Sequence, residues 1–260
     1  MPERAWREVA ALLDEAVADR VVPGVALCVR GADHVLFSYA AGHAELEPRR
    51  RAACEDTAWD LASLTKVLCT TPLCLRLHEQ GRLDLDEPLD ALLPDAPPGV
   101  TARHCLLHSS GLPAWRPLFQ EVIAQGRTWG ALVTRQAVLR AARTTPTVAD
   151  PGARHEYSDL GMLLLGAAIE EREGERIDRL WEREVRSWMG VDLRWGWPDA
   201  AATERCPVRQ RVVVGEVHDL NAAVLGGLAP HAGLFGSAAQ VAAAGAWHLR
   251  CWQGRERGSG

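Results

Sequence analysis

WDLASLTKVLCT, residues 59–70, holds Lys66, the only lysine of the chain; of its 29 lysine and arginine residues, the other 28 are arginine. Ser63 stands three residues earlier. On a helix those two positions share one face, a turn apart. Apolar residues recurring at Leu64, Val67, Leu68, Leu75 and Leu77 predict that helix, with Pro72 as a kink and Gly81 as its stop. Placed at the helix start, Ser63 would have its amide among the unpaired donors that favour developing negative charge.

A serine hydroxyl is a weak nucleophile until a base takes its proton. Lysine can be that base when its surroundings keep it neutral, whereas arginine stays protonated. A lysine kept among arginines at this spacing therefore points to Ser63 as a nucleophile and Lys66 as its proton acceptor. The plain alternative is a surface lysine beside an unrelated serine.

A second group lies in PGARHEYSDLGMLLLG, residues 151–166, a Pro-Gly turn running into an apolar helix. Tyr157 is one of only two tyrosines. A phenol beside a cationic lysine has its ionised form stabilised, so Tyr157 and Lys66 can share the serine proton and hand it to a leaving group. Ser158 or Asp159 also reads as a helix N-cap, which is compatible with a place in the site.

The rest of the chain frames these residues. The 260 residues, 47% of them apolar, are enough for a sizeable core. A net charge of −5 with no basic run excludes a nucleic-acid partner. The first twenty residues read as an amphipathic helix without the apolar core of a signal peptide, and no stretch reaches a membrane-spanning length. Seven scattered cysteines fit buried free thiols in a reducing compartment, and a cytoplasmic location is the expectation. Residues 21–31 and 34–42 predict a β-hairpin turning at Gly31, Ala32 and Asp33. From residue 82 to about 200 the signals are helical, with Thr101 as an N-cap. RVVVGEV, residues 211–217, is the only later strand candidate, and an Ala-rich helix follows a Gly-rich segment. His104 and His108 have metal-ligand spacing, but Cys105 stands where a metalloprotease motif needs Glu, and no metal site is expected. His218-Asp219 reads as a structural pair. Trp115, Trp195 and Trp197 fall in loops able to wall an apolar pocket.

Four segments, DLASLTKVLCTTPLCLRLHEQGRLDLDEPL, TARHCLLHSSGLP, PGARHEYSDLGMLLLGAAIE and HAGLFGSAAQVA, together resemble the serine β-lactamase and penicillin-binding-protein superfamily. The resemblance is to its class-C-like branch of esterases, β-lactamases and D-Ala-D-Ala peptidases, in the right order over residues 20–250. It implies an α/β (α+β) fold, an antiparallel sheet flanked by helices. A helical subdomain would cover about residues 75–200 of a single domain over residues 1–260, with the active site in the cleft. It also implies that Ser63 is acylated, that Lys66 takes its proton, and that Tyr157 is the second acid/base. Asp159 stands where the family more often has Asn, facing the acyl substituent, and an acid there would repel an anionic substrate.

The family's third motif, Lys-Thr-Gly or His-x-Gly, lines the oxyanion site from a core strand. His231-Ala232-Gly233 has its letters, making His231 and Gly233 substrate-binding candidates. Its surroundings resemble instead the segment before the last strands, in which case the C-terminal part of the sheet is incomplete. The expected function is hydrolysis of a small ester or amide through an acyl-enzyme, with no cofactor. The alternatives are a β-lactamase or D-Ala-D-Ala carboxypeptidase, with a β-lactam or peptide as substrate, and a non-catalytic binding member.

Overall fold

The computed structural model describes residues 3–256. They divide into two compact units: one takes the chain up to residue 60 with 188–216 and the segment from 234 onward, the other takes 61–187 and 217–233.

The first unit holds the strands. β1 (Gly24–Arg30) and β2 (Val35–Glu45) form the expected antiparallel hairpin, with Leu27 opposite Tyr39. The turn closes where Gly31 donates its N–H to the His34 carbonyl at 3.0 Å. β3 (Arg51–Ala52) adds to the other side of β2. Helix Glu3–Ala18 lays Trp6 flat on Phe37, ring centroids 4.8 Å apart, and helix Ala238–Trp252 packs against β1.

Five further strands complete this unit: β4 (Trp59–Asp60), β5 (Arg194–Trp195), β6 (Ala202–Cys206), β7 (Arg211–Val214) and β8 (Leu234–Gly236). β8 lies between β4 and β5, while β6 and β7 pair with each other, all antiparallel. Only β7 among the later strands was expected. β4, β5 and β8 run for two or three residues, too short to show an alternation. Trp197, partly buried, packs on the buried cluster of Ala58, Ala200 and Phe235, with the Arg194 guanidinium 4.4 Å from its ring centroid.

The second unit is helical. Its centre is helix Asp159–Glu173, in which every residue from Leu160 to Ile169 is buried. A helix apolar on all sides needs neighbours on all sides. Gly166 lets one approach closely, because a Cβ there would stand 2.6 Å from Pro230 Cγ. The helix ends at Gly174, whose φ of 64° is left-handed.

The Thr101 cap forms as expected, with a twist that settles His104. The Thr101 hydroxyl accepts from the His104 amide, and His104 Nδ1 accepts from the Thr101 amide, both at 3.2 Å. That ring is a capping group. The seven cysteines are free thiols; Cys69, Cys74, Cys105 and Cys206 are buried, whereas Cys54 is exposed. No helix among the described residues is long and apolar enough to cross a membrane.

Candidate active site

The backbone around Ser63 is wound tightly and then loosened. Leu64, Thr65 and Lys66 donate their amides three residues back, to Leu61, Ala62 and Ser63. Ala62 begins this turn at φ 45°, a left-handed conformation costly for a residue with a Cβ and often found at functional sites. From Lys66 to Thr70 the helix widens, and the Thr71 amide reaches five residues back to the Lys66 carbonyl. Regular α-helix resumes over Thr71–Glu79, and Gly81 follows at φ 68°.

Pro72 explains the widening. It has no N–H to give to the Leu68 carbonyl one turn earlier. That carbonyl instead accepts the indole N–H of buried Trp181 at 2.9 Å. The segment is thus clamped in its widened form, with Lys66 buried and Ser63 exposed. Single-turn π-widenings of this kind concentrate at functional sites.

Tyr157, Ser158 and Asp159 are delivered by the start of the buried helix. Ser158 is its N-cap, its hydroxyl accepting from the Gly161 amide at 3.0 Å and donating to the Pro113 carbonyl at 2.7 Å. The Asp159 amide donates to the Ala114 carbonyl at 2.9 Å. Beneath Tyr157 lies the loop His108–Gly111. Gly111 is needed there, since at its φ of 75° a Cβ would meet the Ala149 carbonyl oxygen at 2.1 Å.

These residues converge on Lys66 Nζ. It lies 2.8 Å from Ser63 Oγ, 2.7 Å from Asp159 Oδ1 and 3.4 Å from the His231 carbonyl oxygen. The Asp159 contact is an ion pair rather than an aligned hydrogen bond. Tyr157 meets the lysine with its ring face, 4.7 Å from Nζ to the centroid, a cation–π contact. Tyr157 is 55% exposed, so the residue faces both the lysine and solvent. Two of the Nζ neighbours, Asp159 and the His231 carbonyl, can only accept. Of the three, only the Ser63 hydroxyl also carries a proton to give.

His231 is placed differently from a substrate-binding wall. His231-Ala232-Gly233 forms the turn before β8 and not a strand, with Gly233 at φ 128°. The His231 ring is 2% exposed and its Nε2 pairs with Asp219 Oδ1 at 3.0 Å, so burial and this partner withdraw it from any entering substrate. Its offering to the site is its carbonyl, on Lys66. Asp219 also caps helix Leu220–Val224 by accepting from the Ala222 amide at 2.7 Å. Burial pushes the Asp219 carboxyl up, but the His231 hydrogen bond and charge, the Ala222 amide and nearby His218 outweigh it and hold it below the usual range. Asp219 thus has His231, twelve residues on, as a hydrogen-bonded partner.

One member of the site was not foreseen. His108 packs its ring on Tyr157, and its Nδ1 accepts the Ser158 amide at 3.1 Å. Partial burial, then the Lys66 charge, push the imidazole below its ordinary value, against an opposing pull from Asp159. The signal open to inspection was HSSG, a polar turn with glycine at its end; the partner of its histidine, 50 residues away, was not readable.

Comparison with known proteins bears on the chain as a whole. A family model described as Beta-lactamase matches residues 9–257. A putative D-alanyl-D-alanine carboxypeptidase of Escherichia coli (strain K12) is 28% identical over 93% of this chain and 64% of its own length. An N-acetylmuramyl-L-alanine amidase of Bacillus subtilis (strain 168) is 29% identical over 85% of this chain and 57% of its own. The octameric penicillin-binding protein homologue from Pyrococcus abyssi superposes with a TM-score of 0.72 at 23% identity, over 99% of this chain and 58% of that one. The chain thus spans about three fifths of the length of these curated relatives.

Proposed function

Taking as premise that the chain belongs to the β-lactamase family, a family of serine hydrolases, we propose that it is an acyl-transfer enzyme that hydrolyses a small ester or amide through a covalent ester on Ser63. The observation that carries this reading is the 2.8 Å separation of Lys66 Nζ and Ser63 Oγ, with Ser63 exposed and Lys66 buried. Ser63 Oγ attacks the acyl carbonyl while its proton passes to Lys66. The carbonyl reforms as the bond to the alcohol or amine breaks, and Tyr157 with Lys66 returns the proton to that leaving group. Water then attacks the Ser63 ester, giving its proton to the same pair, and the acid leaves as the serine is regenerated.

A second reading, peptidase or β-lactamase action, is favoured by the names of the relatives, one a putative carboxypeptidase and one an amidase. Two probes separate the readings. The protein is treated with a fluorophosphonate and, separately, with a fluorescent penicillin, and the labelled residue is found by mass spectrometry. Label on Ser63 from the first probe alone is the expected result. Label from the penicillin supports the second reading. No label from either on folded protein overturns both and leaves a binding role. Lys66→Arg should slow fluorophosphonate labelling by about 100- to 10,000-fold, the range for a lost general base; an unchanged rate removes the proton-acceptor role.

A further inference from the structure

We propose that Asp159 is a specificity-determining residue that makes the site select acyl donors carrying no carboxylate near the scissile carbonyl. The proposal rests on the reading of Ser63 as the acylated residue and names the substrate class of that site.

The argument begins with distances. The acyl carbon must come within bonding distance of Ser63 Oγ. From there two successive contacts, 2.8 Å to Lys66 Nζ and 2.7 Å on to Asp159 Oδ1, bring the carboxylate to within about 5.5 Å of the nucleophile. Any anionic substituent beside the reacting bond therefore approaches a fixed negative charge. The carboxylate is held in place, since its residue opens a capped helix and its own amide is tied to the Ala114 carbonyl.

The same ion pair removes the attraction that would offset this repulsion. Lys66 is the only lysine of the chain, and the Asp159 carboxylate lies 2.7 Å from its Nζ, so the pair is neutral while the amine is protonated and negative while the amine acts as base. Arg154, three residues before Tyr157, is itself paired with Glu156 at 2.5 Å. The charges that act on neighbouring His108 are those of Lys66 and Asp159, of opposite sign. A substrate carboxylate entering here meets a pair with no surplus positive charge and exchanges its hydration for nothing. A neutral acyl group meets no such penalty, and the exposed face of Tyr157 gives it an apolar surface.

The test uses two esters with the same leaving group, p-nitrophenyl butyrate and mono-p-nitrophenyl glutarate. The natural chain should show a kcat/KM ratio of at least about tenfold in favour of butyrate, the effect of one like charge at this range. Asp159→Asn keeps the size of the side chain and a group for Lys66 but removes the charge. It should compress the ratio several-fold, whatever happens to the common rate. A second measurement needs no variant: because ions screen the repulsion, raising salt on the natural protein should also narrow the ratio. A ratio near one in the natural chain, or one that neither the substitution nor salt moves, overturns the selectivity while leaving Ser63 catalysis standing. Failure to hydrolyse either ester, with no fluorophosphonate label on Ser63, overturns the catalytic reading and this inference with it.

Discussion

The His108 and Tyr157 rings lie with centroids 4.4 Å apart, tilted by 37°, and the Ser158 amide donates to His108 Nδ1. A nitrogen that accepts from an amide carries no proton, so the neutral ring bears its proton on Nε2. Protonation of the imidazole would destroy that hydrogen bond and place a cation near Lys66. This gives a pH dependence of known sign. Because the folded-state value lies below that of the unfolded chain, the unfolded state binds the proton first as pH falls. Stability should be full above the ordinary histidine range and decline as pH drops below about 6.5. His108→Asn, which tolerates the left-handed backbone at φ 54° and offers an oxygen to the Ser158 amide, should flatten that decline. Urea unfolding of both proteins at several pH values between about 5 and 8 measures it; equal slopes would remove His108 as the titrating group.

Leu68 and Trp181 supply a second test. The Leu68 carbonyl, to which Pro72 has no N–H to give, accepts the Trp181 indole N–H. Trp181→Phe strands it in a buried setting and should cost about 1–3 kcal/mol beyond any change in packing. Pro72→Ala offers a backbone amide to the same carbonyl, so in that background the cost of Trp181→Phe should shrink. A double-mutant cycle by chemical denaturation reads the coupling. Additive effects would mean that the indole bond does not replace the missing amide.

The two tests also mark where sequence reading succeeded and stopped. Ser63, Lys66 and Tyr157 stood out because lysine and tyrosine are nearly absent from the chain and the chemistry needs those types. The helix to Gly81 was legible from its glycine stop, but its apolar spacing was only partly a burial signal, since Leu64, Val67 and Leu75 are exposed while Leu68 and Leu77 are buried; the hairpin was legible from two runs flanking a short turn. β4, β5 and β8 were not legible, because strands of two or three residues exist only through pairing, as of Trp59 with Gly236 across most of the chain. The roles of His108 and Asp219 were hidden for the same reason. Each is set by a partner that only the folded chain brings near. The His231 reading failed on burial: the letters His-x-Gly carry no information on which way a ring turns.

Asp219 should be the acid-sensitive support of Lys66. Its carboxylate caps a helix, pairs with buried His231, and so steadies the carbonyl that accepts from Lys66. Its folded-state value is lowered, so the stability it provides is present above about pH 4 and lost as pH falls through that lowered value. Asp219→Ala removes the cap and the partner of a buried ring together and should destabilise by about 1–3 kcal/mol. Asp219→Asn keeps an acceptor for the Ala222 amide and should cost less. Thermal unfolding near neutral pH ranks the variants, and equal losses would show that charge and cap contribute nothing separately.

Gly166 carries the last prediction, because it governs how closely the His231 turn approaches the central helix. A Cβ there would stand 2.6 Å from Pro230 Cγ and 2.9 Å from its Cβ, and a proline ring at that distance cannot rotate away. Gly166→Ala gains helix propensity of about 1 kcal/mol, yet the overlap should outweigh it and leave a net loss of roughly 1–2 kcal/mol. The displacement would be passed on locally. The Pro230 carbonyl accepts from the Thr70 hydroxyl at 2.6 Å, and the next carbonyl, that of His231, accepts from Lys66. Both tie the turn to the widened helix segment. Moving it should disturb Lys66 more than the binding of an acyl group, so kcat should fall with KM nearly unchanged. Steady-state kinetics on p-nitrophenyl butyrate at a temperature where the variant is fully folded gives the split. A fall confined to KM would show that the turn touches substrate rather than holding the base.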